Sequence, residues 1–107
     1  MNKVIMMGRL VANPSYKINE KGTKICYFRL AVSSSDKYPT TFIDVISFNR
    51  LAEQCQSWTQ KGTKVLVEGK LDYKKIGDEK RDYYSIIAQT VQFLKGMKQL
   101  GENKNDE

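Results

Sequence analysis

The stretch from Phe42 to Leu71 constrains the fold more than any other, because its periodicity switches twice within it. From Thr41 to Asn49 the residues alternate, with Phe42, Asp44, Ile46 and Phe48 on one face and Ile43, Val45 and Ser47 on the other, which predicts a strand. Leu51, Cys55 and Trp58 then follow at spacings of four and three, which predicts a helix over Leu51–Gln60 with those three side chains on its packed face. On that register Trp58 is a core residue. Lys61 and Gly62 read as a helix stop, a cation in the last turn followed by glycine at the C′ position. Alternation resumes from Lys64 to Leu71, with Val65, Val67, Gly69 and Leu71 sharing a face.

The flanking segments extend this pattern. Lys3 to Val11 is an apolar run with Gly8 inside it, as expected of a strand buried on both faces in a barrel or at a subunit contact. Asn13-Pro14 and Asn19–Gly22 mark turns around Ser15–Ile18, itself long enough for a short strand. Between Thr23 and Val32, Cys26, Phe28, Leu30 and Val32 form the more apolar face and are assigned to the core, leaving Ile25, Tyr27, Arg29 and Ala31 opposite. Ser33–Thr40 reads as a hairpin loop, Gly77-Asp78 as a turn, and Tyr83–Leu94 as a last strand. Five strands with one helix between the third and fourth is the order expected of an all-β, five-stranded Greek-key barrel of the OB type. An SH3-like barrel or an irregular α+β domain also fits this count. The 107 residues suffice for one domain, placed at 1–95, and a polar tail at 96–107 expected to be disordered.

Chemistry is narrowed by what is missing. The chain has no histidine, no Gly-rich phosphate loop and no catalytic constellation, so an enzyme is not expected. Two cysteines make neither a disulfide framework nor a metal site; Cys26 and Cys55 are expected to be buried as small apolar groups, and no cofactor is expected. No leader-like segment or apolar run of spanning length occurs, so no membrane association and a cytoplasmic location are expected. Net charge is +6, and it resides in the body: residues 1–95 carry 16 Lys and Arg against 9 Asp and Glu, residues 96–107 only 2 against 3. Such a charge admits nucleic acid, membranes or acidic partners alike.

The pattern of aromatics sharpens that choice. Tyr27, Tyr38, Phe42, Phe48, Tyr73, Tyr83 and Tyr84 interleave with Arg29, Lys37, Arg50, Lys70, Lys74 and Lys75. Aromatic rings on which bases stack, beside cations that neutralise phosphates, are what a binder of single strands requires. Aromatics are also ordinary strand formers. Phe42 and Phe48 stand out because they share a face with Asp44, whose carboxylate is expensive to bury unpaired, so both rings are expected on an accessible face.

Collected in order, these segments resemble bacterial and phage single-stranded DNA-binding proteins. The opening Met-Asn-Lys-Val-Ile-Met-Met-Gly-Arg-Leu is similar to that family's first strand, Phe28–Val32 to its second, and Phe42–Glu53 to its third with the helix start. Lys61-Gly62 with Val67–Leu71 resembles its turn and fourth strand, and Val91–Leu94 its closing strand. The resemblance implies an OB-fold, a homotetramer, and a role on single-stranded DNA in replication, recombination and repair. It further implies base stacking by Phe42 and Phe48, phosphate contacts by Lys3, Arg50, Lys61 and Lys75, and Tyr38 as a loop aromatic. Arg29 and Lys74 complete the candidate set, with Tyr73 standing in for an aromatic where this chain has Ile76. Asp44 and Asp72 bring negative charge to the expected surface, and the chain stops at Glu-Asn-Lys-Asn-Asp-Glu without the family's acidic tip closed by an apolar residue. Recruitment of replication and repair enzymes is therefore not implied, and a phage, plasmid-borne or accessory form fits. An adaptor that chiefly contacts proteins and an RNA-binding OB-fold are the alternatives.

Overall fold

The structure, a computed structural model, describes residues 1–94. The tail expected at 96–107, with its boundary at 95, lies outside the described residues. Six strands and one helix follow in the order β1 (Val4–Leu10), β2 (Ser15–Ile18), β3 (Lys24–Val32), β4 (Thr41–Phe48), α1 (Asn49–Trp58), β5 (Lys64–Ile76) and β6 (Arg81–Phe93). The sheet runs β1-β5-β6-β4-β3-β2, and β1 also pairs β3 through Arg9↔Ala31 and Leu10↔Leu30. That contact closes five strands into a ring. β2 takes the part of the β3 edge that β1 leaves free, pairing Ser15↔Tyr27 through Ile18↔Lys24. Helix α1 stands between the third and fourth strands of the ring, as expected.

Alternating side chains point into the ring. Cys26, Phe28 and Leu30 of β3, Val45 of β4, Val65 and Val67 of β5, and Ile86, Ala88 and Val91 of β6 form one buried cluster. Cys26 and Cys55 are both free thiols within it, and burial pushes the Cys26 thiol up to about 12, which keeps it protonated and inert. The change of spacing from Ile86–Ala88 to Ala88–Val91 marks a bulge opposite Glu68/Gly69, where an extra residue of β6 shifts the register.

Three expectations are corrected. Trp58 is 59% exposed, its ring T-shaped to that of Phe93 at 5.2 Å between centroids. Cys55 is buried and Leu51 packs half-buried against the core as expected, but the other buried residue of α1 is Ala52, with Thr59 buried just past the helix end, because small side chains let the helix lie close against the ring. The helix does not stop on glycine. It ends at Thr59, whose N–H and hydroxyl both donate to the Cys55 carbonyl, while Gly62 (φ 89°) serves a separate turn closed by the Thr63 N–H donating to the Gln60 carbonyl. Finally, β1 is buried on one face only, for Ile5 and Met7 are exposed on the other.

Candidate nucleic-acid interface

Cross-strand register assembles the candidate surface on the outside of the ring. β3 and β4 are antiparallel with Tyr27↔Ile46, Arg29↔Asp44 and Ala31↔Phe42. β4 and β6 are parallel with Asp44↔Ser85 and Ile46↔Ile87, and β6 meets β5 through Ser85↔Asp72, Ile87↔Lys70 and Tyr83↔Lys74. Since alternate residues share a face, Tyr27, Arg29, Phe42, Asp44, Ile46, Phe48, Tyr83, Lys70, Asp72 and Lys74 all point the same way. Phe42 and Phe48 are 51% and 39% exposed, as the alternation of β4 predicts.

Asp44 is not an isolated liability. Its Oδ2 accepts a 2.6 Å hydrogen bond from the Tyr83 hydroxyl, and its Oδ1 lies 3.7 Å from the Arg29 guanidinium. Arg29 in turn sits over the Phe42 ring, 5.6 Å from its centroid. The carboxylate thus fastens a tyrosine from β6 and an arginine from β3 around the β4 aromatic. Burial, followed by this bond and the neighbouring charge, pushes the Tyr83 hydroxyl up to about 12 from an ordinary 10.0. A raised folded-state value means that the stabilisation is fully present below the unfolded tyrosine value of 10.0 and is lost as pH climbs through about 12. The difference in tyrosinate absorbance between wild type and Tyr83→Phe is expected to titrate with a midpoint near 12. A midpoint near 10 would contradict the bond.

The remaining candidates are distributed around this face. Arg50 is exposed at the start of α1, lining an open groove of about 540 Å³ with Gly22, Lys24, Asn49 and Glu53. Lys24 is committed to Glu53 in that groove at 2.5 Å, whereas Arg50 makes no ion pair among the described residues. Lys61 is exposed in the turn after α1, held in place by its N–H donating to Asn13 Oδ1 at 2.8 Å. Lys3 lies beyond β5, 3.7 Å from Glu68, and Tyr38 is exposed in the β3–β4 loop.

Tyr73 and Lys75 are not brought to the Phe42 face. β5 and β6 run on beyond the ring as a two-stranded arm, and Tyr73 and Lys75 occupy its reverse side. Tyr73 stands opposite Tyr84 there, rings 5.1 Å apart and about half exposed, and its hydroxyl donates to Asp82, which also binds Lys75 at 2.9 Å. Those bonds raise the Lys75 ammonium and lower the Asp82 carboxyl. Lys70, Tyr27 and Tyr83 take the places on the front that Tyr73 and Lys75 were expected to fill. Strand parity carried past Leu71 separates Lys70 and Lys74 from Tyr73 and Lys75; the place of Tyr83 depends on the bulge and has no sequence signal.

A closed ring of strands presenting half-exposed aromatics and cations on one outer face defines a nucleic-acid-binding module of the OB type. The model of the single-strand binding protein family matches residues 1–94, and the chain belongs to that family. The single-stranded DNA-binding proteins of Thermotoga maritima and Fusobacterium nucleatum are 33% and 35% identical to it, each over 87% of this chain and over 73% and 66% of their own lengths. That of Helicobacter pylori is 35% identical, and the matching region spans 58% of it. Among solved structures, the wild-type single-stranded DNA binding protein from Thermus aquaticus superposes with a TM-score of 0.74 at 28% identity, covering 94% of this chain and 44% of that one. A deletion mutant of the same protein gives 0.78 at 26% identity, covering 95% and 45%. No helix among the described residues is long and apolar enough to cross a membrane.

Proposed function

We propose that this chain binds single-stranded DNA through base stacking and phosphate neutralisation, in the service of replication, recombination and repair. The observation that carries this reading is the pair of exposed rings, Phe42 and Phe48, on a face that also bears Arg29, Lys70 and Lys74. Stacking tolerates any base because every base has a π-face, and extruded bases exist only where the strand is single. Arg50 and Lys61 extend the cationic path past the ends of α1, and Lys3 extends it toward β1. Tyr38 offers a further ring from the β3–β4 loop. Tyr73, Lys75 and Tyr84 form a second aromatic cluster on the back of the arm. Family membership and the names of the relatives support the same reading.

The binding unit is assigned to residues 1–95. It acts as a homo-oligomer, a tetramer in our reading, because Ile5 and Met7 leave apolar surface on the outer side of β1. Fluorescence anisotropy of labelled oligo(dT) tests the function. Binding should saturate with excess protein, resist competition by duplex, and weaken linearly in log K against log salt, with a slope of about −0.7 per phosphate neutralised. Equal competition by duplex DNA, or affinity indifferent to salt, would sink the reading. Sedimentation of the free protein decides the tetramer.

A further inference from the structure

One row of the front face differs from its neighbours. Reading across four strands, the paired residues are Arg29 on β3, Asp44 on β4, Ser85 on β6 and Asp72 on β5. The next row is Tyr27, Ile46, Ile87 and Lys70, mostly apolar and cationic. Phe42 stands two residues before Asp44 on β4 and Phe48 four residues after it, so the polar row crosses the sheet between the two rings. Within it, Asp44 is fully engaged by Tyr83 and Arg29. Asp72, half-buried, makes no hydrogen bond or ion pair among the described residues. Ser85 lies between the two carboxylates in the row, completely buried, and its hydroxyl has no hydrogen-bond partner. An orphaned buried hydroxyl calls for an explanation, because leaving one unmade is costly. Simple phosphate attraction does not supply it, since two carboxylates repel phosphate.

We propose that this row reads base edges, with Asp72 as the acceptor that favours bases carrying an exocyclic amino group. The inference rests on the single-strand reading above and deepens it by naming a preference among bases. Cytosine presents its N4 amino group and adenine its N6 amino group, donors that a carboxylate accepts. Thymine presents O4 at the same edge, and a carbonyl facing Asp72 sets two acceptors against each other. Asp44 is fixed by its two partners and holds the middle of the row in place. Ser85 stands between the two carboxylates in the register, its hydroxyl the unpartnered polar group of the row. Stacking on Phe42 and Phe48 supplies affinity for any base, and the row between them biases which base is held best. A plainer role for Asp72 is to balance Lys70 and Lys74 on its own strand. That role makes a different prediction: removing the charge would strengthen binding to every base alike.

The test is the ratio of affinities for oligo(dC) and oligo(dT) of equal length, measured at about pH 8 so that cytosine stays unprotonated. The ratio is compared between wild type and Asp72→Asn, with thermal melting to establish that the variant is folded. Asn removes the anion and adds an amide donor that suits thymine O4. The dC-to-dT ratio is expected to fall about fivefold in the variant, the low end of what a base-edge contact contributes. An unchanged ratio, including one in which both affinities rise together, overturns the reading row while leaving single-strand binding intact. Failure of the wild type to bind either oligonucleotide overturns the single-strand reading itself, and the preference with it.

Discussion

Gly69→Ala is expected to lower the melting temperature by roughly 10–20 °C, from a loss of about 3 kcal/mol. Gly69 lies in β5 with β1 on one side and β6 on the other, paired to Val4 and Ala88. A Cβ built there overlaps the Ile87 carbonyl and touches the Ala88 Cα, both of them backbone. Flexible side chains can step aside from such an overlap; a strand held in the middle of a closed ring cannot move without breaking its ladder. Against a typical domain stability of about 5–15 kcal/mol the loss is large. Gly8→Ala meets a similar overlap with the Ala31 carbonyl, but β1 and β3 pair there over only two residues at the strand end. The smaller effect is therefore expected at Gly8, and the order of the two melting temperatures checks the argument. If Gly69→Ala melts within a few degrees of wild type, the close approach of β5 to β6 is wrong.

The bulge beside Gly69 also explains what the sequence could not reveal about the candidate site. Before it, Thr90 and Gln92 of β6 pair with Glu68 and Leu66; after it, Ile87, Ser85 and Tyr83 pair with Lys70, Asp72 and Lys74. The extra residue inverts the parity of β6, so Tyr83 faces the Phe42 side and Tyr84 the reverse. Alternation within one strand is legible because burial enforces a period of two, which is why Phe42 and Phe48 were placed correctly from β4 alone. Register between strands is set by turns and bulges far apart in the chain. The partnership of Asp44 with Tyr83, 39 positions away, was accordingly invisible, and Asp44 looked like a flaw. Trp58 failed for a different reason. Its spacing from Leu51 and Cys55 matches a helical face, but the helix packs closely through the small residues Ala52 and Cys55, and at its last turn the large ring is left outside the contact. Ile5 and Met7 show the converse, apolar side chains that the isolated ring leaves uncovered.

Removing Phe42 and Phe48 together should weaken binding to oligo(dT) roughly a hundredfold, with roughly tenfold from each ring alone. Those figures follow from a stacking contribution of about 1–3 kcal/mol per base. The two effects should multiply. Six residues of strand separate the rings by about 20 Å, well beyond the distance of about 7–10 Å within which substitutions usually couple. Both side chains are already about half exposed, so Phe42→Ala and Phe48→Ala should each melt close to wild type, and the loss will report on binding rather than folding. Phe42 carries one complication, because Arg29 rests over its ring and a base must share that ring with the guanidinium or displace it. Phe42→Ala is therefore expected to flatten the salt dependence slightly as well, since Arg29 loses the surface that presents it, whereas Phe48→Ala should leave the slope alone. Trp58→Phe is the control. Trp58 is the one ring of α1 and is exposed, yet it lies at the opposite end of the helix from Phe48 and against Phe93, so affinity should stay within about twofold of wild type. A large loss at Trp58 with none at Phe42 and Phe48 would move the binding surface from the outer face of β4 to the foot of the helix, and the assignment made here would have to be abandoned.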